Sequence, residues 1–69
     1  MKHTPVTSSN LASVGYDEPS QTLEVTFKNG STYAYSRVPA SEHAALMVAG
    51  SHGKYLNSNI KPRYAATKL

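Results

Sequence analysis

The stretch of residues 22–28 constrains the fold more than any other part of the sequence. Apolar side chains occupy every second position in it: Leu23, Val25 and Phe27. This alternation predicts a β-strand with one buried face and one solvated face. The Asn29-Gly30 pair that follows is typical of a tight hairpin turn, because glycine adopts a positive φ without steric cost. We therefore expect a hairpin whose return strand covers residues 31–38 and ends at Pro39, which cannot donate to a ladder.

Weaker signals on either side of this hairpin predict one more strand and two helices. Residues 8–16 alternate weakly and precede a turn at 17–21, while a helix can begin at Ala40 or Ser41 and continue to about Ala49. Ser51 can cap a second, shorter helix around residues 53–59. The apolar residues expected to be buried on the two helices are Ala45, Leu46, Ala49, Tyr55, Leu56 and Ile60.

The expected fold class is therefore α+β: a three-stranded antiparallel β-meander followed by two short helices packed on one sheet face. Residues 1–7 are expected to form a flexible leader, residues 8–64 the domain, and residues 65–69 a frayed tail. The 69 residues are enough for one small core, and a chain of this size buries only about 60% of the surface that its unfolded form exposes.

Composition narrows the class of protein further. The sequence has no cysteine, which excludes disulfides and thiolate zinc sites. It also has no apolar run of the length that a signal peptide or a membrane span requires, so we expect a cytoplasmic protein with no membrane partner. The seven Lys and Arg residues outnumber the four Asp and Glu residues, giving a formal net charge of +3. The last sixteen residues contain no acid and carry four cations: Lys54, Lys61, Arg63 and Lys68. This asymmetry favours a polyanionic partner such as a nucleic acid.

The ordered set of motifs in this chain resembles the KTSC domain family. The residues that carry the resemblance are Ser9-Asn10-Leu11, Val14-Gly15-Tyr16-Asp17, Leu23, Val25, Phe27, Gly30, Tyr33-x-Tyr35, Val38-Pro39, and Ser51-x-Gly53-Lys54-Tyr55-x-Asn57-x-x-Ile60. The resemblance covers about residues 8–64. That family is named for the C-terminal extension of some lysyl-tRNA synthetases and also occurs as small free-standing proteins of bacteria and phages. It implies the same α+β fold, suggests RNA binding, and offers no catalytic residue to carry over.

The position of Tyr33 and Tyr35 depends on the hairpin turn. A two-residue turn at Asn29-Gly30 would place both tyrosines on the polar face, opposite Thr26 and Glu24. A type I turn followed by a glycine bulge would shift the register by one residue and bring Tyr33 beside Val25. Because so small a domain can hardly spare two tyrosines from its core, we favour burial, with the hydroxyls reaching the surface. On an exposed face the rings could stack on bases, and in the buried arrangement the hydroxyls could still contact bases or sugars. Arg37 shares their face and would extend either role.

A second candidate site lies where the second helix begins. Ser51, Gly53 and Lys54 could form an anion-binding helix start, because free amides at that position favour negative charge. Lys54, Asn57 and Lys61 follow at helical spacing and, with Arg63, could track a phosphate backbone. The simpler interpretation of these residues is a capped turn with solvated charges. The segment lacks the spacing of a phosphate-binding loop that hydrolyses nucleotides.

Catalytic and metal sites have little support in the sequence. The three histidines lie apart and no two share a helix face at i, i+4, so no metal site is expected. No serine, histidine and acid are placed to suggest an activated nucleophile, so we expect neither an enzyme nor a cofactor. The function expected is therefore RNA binding, to tRNA or to a single strand. The rivals are a protein-interaction or self-associating adaptor, including a homodimer, and a binder of small nucleotides.

Overall fold

The computed structural model describes residues 3–69 of the chain. They form an α+β fold in which two helices and a π-helical segment pack against one face of a five-stranded antiparallel sheet. In chain order the elements are β1 His3–Pro5, β2 Leu11–Asp17, β3 Thr22–Phe27, β4 Thr32–Tyr35, α1 Ala40–Val48, α2 His52–Tyr55, the π-helical segment Leu56–Ile60, and β5 Ala66–Lys68. The strand order in the sheet follows the chain, β1-β2-β3-β4-β5.

The α+β class and the central meander are confirmed, but the prediction of three strands understated the sheet. The two additional strands come from the segments expected to be a leader and a tail. β1 pairs with β2, with His3 opposite Gly15, and β5 pairs with β4, with Lys68 opposite Tyr33. A strand of three residues is too short to show a period, and it forms here because β2 and β4 would otherwise present unpaired edges.

The hairpin between β3 and β4 contains the glycine bulge. Gly30 has a φ of 94°, and the Phe27 amide donates to the Ser31 carbonyl over 2.8 Å. The register places Val25 opposite Tyr33 and Leu23 opposite Tyr35, so both tyrosines lie on the same face as the apolar residues of β3. The expectation that these tyrosines belong to the core is confirmed for Tyr35, which is 2% exposed, whereas Tyr33 is only half-buried.

The core lies between the sheet and the helices. Its fully buried members come from β2, β3, β4, the loop before α1, α1 and the π-helical segment: Leu11, Val14, Leu23, Val25, Tyr35, Val38, Leu46, Leu56 and Ile60. Of the residues predicted to be buried on the first helix, only Leu46 is fully buried. Both Leu56 and Ile60 are buried as predicted, and Tyr55 packs against the core while remaining half-exposed. Among residues 3–69, none of the helices has the length and hydropathy that crossing a membrane would require.

Tyr16 connects the sheet to the start of α1. Its ring stacks on His43 with a centroid separation of 4.6 Å, and its hydroxyl donates to the Val38 carbonyl over 2.5 Å. Burial lowers the pKa of His43, so the imidazole is held in its neutral form in this stack. The contact fixes the direction in which the chain leaves the sheet after Arg37, a non-glycine residue whose φ is 59°.

Candidate functional site

A cleft opens beside the β3–β4 hairpin, where the end of the π-helical segment and the start of β5 approach it. Its volume is about 340 Å³. Four aromatic side chains and one lysine dominate its lining, which consists of Phe27, Asn29, Tyr33, Tyr35, Lys61, Tyr64 and Ala66. The hairpin supplies one wall and residues 61–66 supply the other, so the site exists only because β5 returns to pair with β4.

A second depression adjoins the first. It is lined by Ser36, Arg37, Arg63, Tyr64 and Ala65 and has a volume of about 620 Å³. Because Tyr64 lines both depressions, they form one continuous surface with aromatic rings at one end and two arginines at the other. We call this surface the aromatic–basic cleft. Within it, Arg37, Lys61 and Arg63 are all exposed.

Tyr35 forms the floor of the first depression. The residue is only 2% exposed, yet within residues 3–69 its hydroxyl has no hydrogen-bond partner. No fully buried side-chain oxygen in that range lacks a partner, so the Tyr35 hydroxyl must reach the open space of the cleft that the residue lines. Burial, and then the neighbouring Tyr33, raise the pKa of Tyr35, which keeps the hydroxyl protonated at neutral pH. The cleft therefore has a neutral hydrogen-bond donor and acceptor at its base.

Tyr33 forms a wall of the same depression and is supported by Phe27. The two rings meet edge to face, with centroids 5.7 Å apart and an interplanar angle of 89°. Such a pair is a favourable aromatic arrangement, and it restricts the orientation of the Tyr33 ring. Tyr33 is half-buried and lines the cleft, so part of this oriented ring can be reached by a ligand.

Glu42 of α1 organises the opposite wall. Its carboxylate accepts a hydrogen bond from the hydroxyl of Tyr55 and another, over 3.2 Å, from that of Tyr64. Its Oε2 also lies 4.0 Å from a guanidinium nitrogen of Arg63. The bond to Glu42 is the main cause of the raised pKa of Tyr55, whereas the pKa of Tyr64 is raised first by burial and then by the same carboxylate. The carboxylate thus holds Tyr64 in place, while the Arg63 side chain, 65% exposed, stays open to a ligand.

The structure brings together most of the residues that the sequence predicted for nucleic-acid binding. Five of them line the aromatic–basic cleft: Tyr33, Tyr35, Arg37, Lys61 and Arg63. Lys54 and Asn57 are exposed but line neither depression. Four residues of the site were not predicted for it from the sequence: Phe27, Asn29, Glu42 and Tyr64. The one sequence signal for Tyr64 was its position beside Arg63 in a basic segment. Glu42 has the position of an ordinary acidic residue in the first turn of a helix.

The predicted helix start at Ser51 forms as a cap. The Ser51 hydroxyl accepts a hydrogen bond from the Lys54 amide over 3.3 Å, so that amide already has a partner. Gly53 is buried, and a Cβ at this position would lie 2.4 Å from Oδ1 of Asn10. The Asn10 side chain therefore occupies the space beside the Gly53 backbone that a ligand was expected to approach.

A hydrogen-bonded row of three side chains lies on the sheet face away from the helices. His3 bonds to the Ser13 hydroxyl through Nδ1 and to the Glu24 carboxylate through Nε2, each over 2.9 Å. No sequence spacing indicated this arrangement, because the three residues come from three different strands. The row links β1 to β3 across β2, and so fastens the first strand to the sheet.

Comparisons with known proteins agree with the fold and the motifs. The sequence profile of the KTSC domain matches residues 7–64. The chain belongs to the KTSC domain family. A crystal structure of a KTSC domain protein from Yersinia pestis superimposes with a TM-score of 0.92 at 36% identity, covering 99% of this chain and 96% of that one.

Sequence relatives include both short and long proteins. A protein of Tsukamurella paurometabola is 40% identical over 65 residues, covering 94% of this chain and 97% of its own length. An uncharacterized protein of Stutzerimonas stutzeri is 42% identical over 64 residues, covering 93% of this chain and 90% of its own length. A lysine–tRNA ligase of Nostoc punctiforme is 34% identical over 61 residues, which are 88% of this chain but 11% of that enzyme. The same domain therefore occurs nearly alone and as a small part of a larger protein.

Proposed function

We propose that this protein is a small cytoplasmic RNA-binding module and that the aromatic–basic cleft is its binding surface. The observation that carries the proposal is the continuity of the two depressions through Tyr64, which sets stacking rings beside exposed cations. Nonspecific binding of single strands combines the same two elements: a positively charged groove that follows the phosphates and aromatic rings on which bases stack.

The charges of the cleft support a nucleic acid over a neutral partner. Arg37, Lys61 and Arg63 are exposed at its rim. Within residues 3–69, the one carboxylate that contacts this group is Glu42, which is 16% exposed and already accepts two phenolic hydrogen bonds. The rim therefore presents net positive charge to a ligand. Contacts of this kind give affinity without sequence preference and weaken as salt rises.

RNA is the polyanion that we choose first, because one relative of this chain is named as a lysine–tRNA ligase. That name refers to the whole enzyme, of which the shared segment is 11%. The name supports a tRNA or a single-stranded RNA as the starting probe, whereas RNA binding is proposed from the residues of the cleft.

The test is a fluorescence-anisotropy titration of a labelled single-stranded RNA at several salt concentrations. If three phosphates are neutralised, the slope of log K against log[salt] is about −2, since each contact to a single strand contributes about −0.7. Lys61→Ala should weaken binding several-fold at low salt and reduce the slope to about −1.4. Lys54→Ala removes the same charge outside the cleft and is the matched control, with an expected change below about twofold.

Three results would contradict the proposal. One is the absence of binding at low salt, and another is an equal loss of affinity in the Lys61 and Lys54 variants. The third is a sedimentation coefficient of the protein that rises with its own concentration without RNA and does not change when RNA is added, which would instead favour the self-associating adaptor.

A further inference from the structure

The floor of the cleft has a feature that phosphate binding does not require. Tyr35 is only 2% exposed, and its neutral hydroxyl, which has no hydrogen-bond partner within the described residues 3–69, faces a space bounded by the rings of Tyr33 and Tyr64. A phosphate oxygen would be served better by Lys61 or the arginines at the rim. A planar group that offers hydrogen-bonding atoms along its edge fits the floor and the walls together.

We propose that the first depression holds one unpaired RNA base, with the Tyr35 hydroxyl bonded to its edge and Lys61 on the adjoining phosphate. This inference rests on the proposed function and names its ligand class: single-stranded RNA with an unstacked base. It makes Tyr35 a specificity-determining residue for single strands over duplexes.

The dimensions of the cleft agree with this assignment. Its volume of about 340 Å³ is at the small end of the range of roughly 300–1,000 Å³ typical of small-molecule sites. One splayed base with part of its sugar can enter such a space, but the stacked pairs of an A-form duplex cannot. Sequence-specific and strand-specific RNA recognition commonly relies on unstacked bases inserted against aromatic rings in this way.

The two walls are also positioned for such a ligand. The edge-to-face contact with Phe27 orients the Tyr33 ring, and Glu42 accepts a hydrogen bond from the Tyr64 hydroxyl, so both wall rings are oriented before a base arrives. Asn29 stands at the rim with its Oδ1 bonded to the Ser31 amide over 2.9 Å, which leaves its amide NH₂ directed away from that bond. Walls that are ordered in advance lose little conformational entropy on binding.

The decisive experiment compares ligands that differ only in their bases. Binding of the wild-type protein is measured by anisotropy for a short single-stranded RNA, for an abasic strand with the same number of phosphates, and for the corresponding duplex. We expect the base-containing strand to bind about tenfold or more tightly than the abasic strand, the range that stacking of one base provides. The duplex should bind no better than the abasic strand at equal phosphate content.

Variants then locate the base. Tyr35→Phe keeps the buried ring and removes only the hydroxyl, so it should reduce affinity for the base-containing strand by about two- to tenfold and leave the abasic strand unchanged. Tyr33→Leu should bring the base-containing and abasic affinities close to each other. Thermal unfolding of each variant detects a folding defect. Binding of the abasic strand is a second control, because loss of structure would weaken that complex as well.

The outcomes distinguish this inference from the proposed function. If the base-containing and abasic strands bind equally, with the expected salt dependence, the base pocket is overturned and the phosphate-binding surface stands. If Tyr35→Phe weakens both ligands alike, the hydroxyl does not contact a base and the inference also fails. If none of the three nucleic acids binds, both proposals are overturned.

Discussion

Replacing Gly53 with alanine tests the packing of α2 most sharply. The added Cβ would lie 2.4 Å from Oδ1 of Asn10, 3.2 Å from its Cγ and 3.3 Å from its Nδ2. All three atoms belong to one amide, so rotation of that amide alone does not remove the contact and the whole side chain must swing aside. Asn10 Oδ1 would then lose the hydrogen bond that it accepts from the Ser8 hydroxyl over 3.2 Å.

Two opposing terms decide the sign of the change. Overpacking at a filled position typically destabilises by about 1–3 kcal/mol. Alanine is also a better helix residue than glycine, by up to about 1 kcal/mol. Because Asn10 is exposed and can move, we take the middle of the overpacking range, about 2 kcal/mol. With the helix gain of up to about 1 kcal/mol subtracted, Gly53→Ala should lower the free energy of unfolding by about 1 kcal/mol.

A double-mutant cycle measured by urea unfolding isolates the cause. In an Asn10→Ala background all three obstructing atoms are absent, so Gly53→Ala should become neutral or stabilising by up to about 1 kcal/mol. Gly50→Ala is the control, since a Cβ there meets nothing within 4 Å. Additive effects of the two substitutions would refute the account of Gly53 as a contact residue for Asn10.

Three further predictions concern Glu42, His43 and Leu46. Because the pKa values of Tyr55 and Tyr64 are raised in the folded protein, the stability that they contribute is complete below about pH 10 and is lost as pH rises through the raised values. Glu42→Gln should lower both pKa values, so that phenolate absorbance appears at lower pH and less stability is lost as pH rises. Burial lowers the pKa of His43, so the stability that the neutral imidazole contributes is present above about pH 6.5 and is lost as pH falls through the lowered value. His43→Phe should make the urea midpoint depend less on pH in this range, and an unchanged dependence would contradict a buried, neutral His43. Leu46 is fully buried, so Leu46→Ala should lower the free energy of unfolding in urea by about 2–5 kcal/mol. Val48→Ala is the control because that side chain is 84% exposed, and an equal loss of stability in the two variants would contradict the packing described.

The sequence predicted the central meander and most of the helical core because those segments follow strong local rules. Leu23 and Val25 alternate with polar residues, and Gly30 has the positive φ expected of a turn glycine. The choice between the two turn geometries depended on a global argument about core size, and the register with Val25 opposite Tyr33 agrees with that argument. The strands β1 and β5 could not be predicted, because three residues carry no period and pair only where a neighbouring edge is already in place.

The cleft was predictable only in part, for the same reason. Residue type and spacing in the sequence were enough to predict Tyr33, Arg37 and Lys61 as members of the site. The convergence of Tyr64 with the hairpin depends on the pairing of β5 with β4, and the role of Glu42 depends on a contact with Tyr64 across 22 residues of sequence. Long-range contacts of this kind leave no local pattern in a single sequence.

An amide-shift NMR titration with a short single-stranded RNA, at low and at moderate salt, tests whether the aromatic–basic cleft is the RNA-binding surface. We predict shifts concentrated at residues 27–37 and 61–66, which contain the lining of the aromatic–basic cleft, with small changes at Lys54 and Asn57 and a decrease in all shifts as salt rises. RNA binding at this cleft would be contradicted by shifts centred on residues 51–57 or on the sheet face away from the helices, around Ser13 and Glu24. The absence of shifts at low salt would contradict it as well.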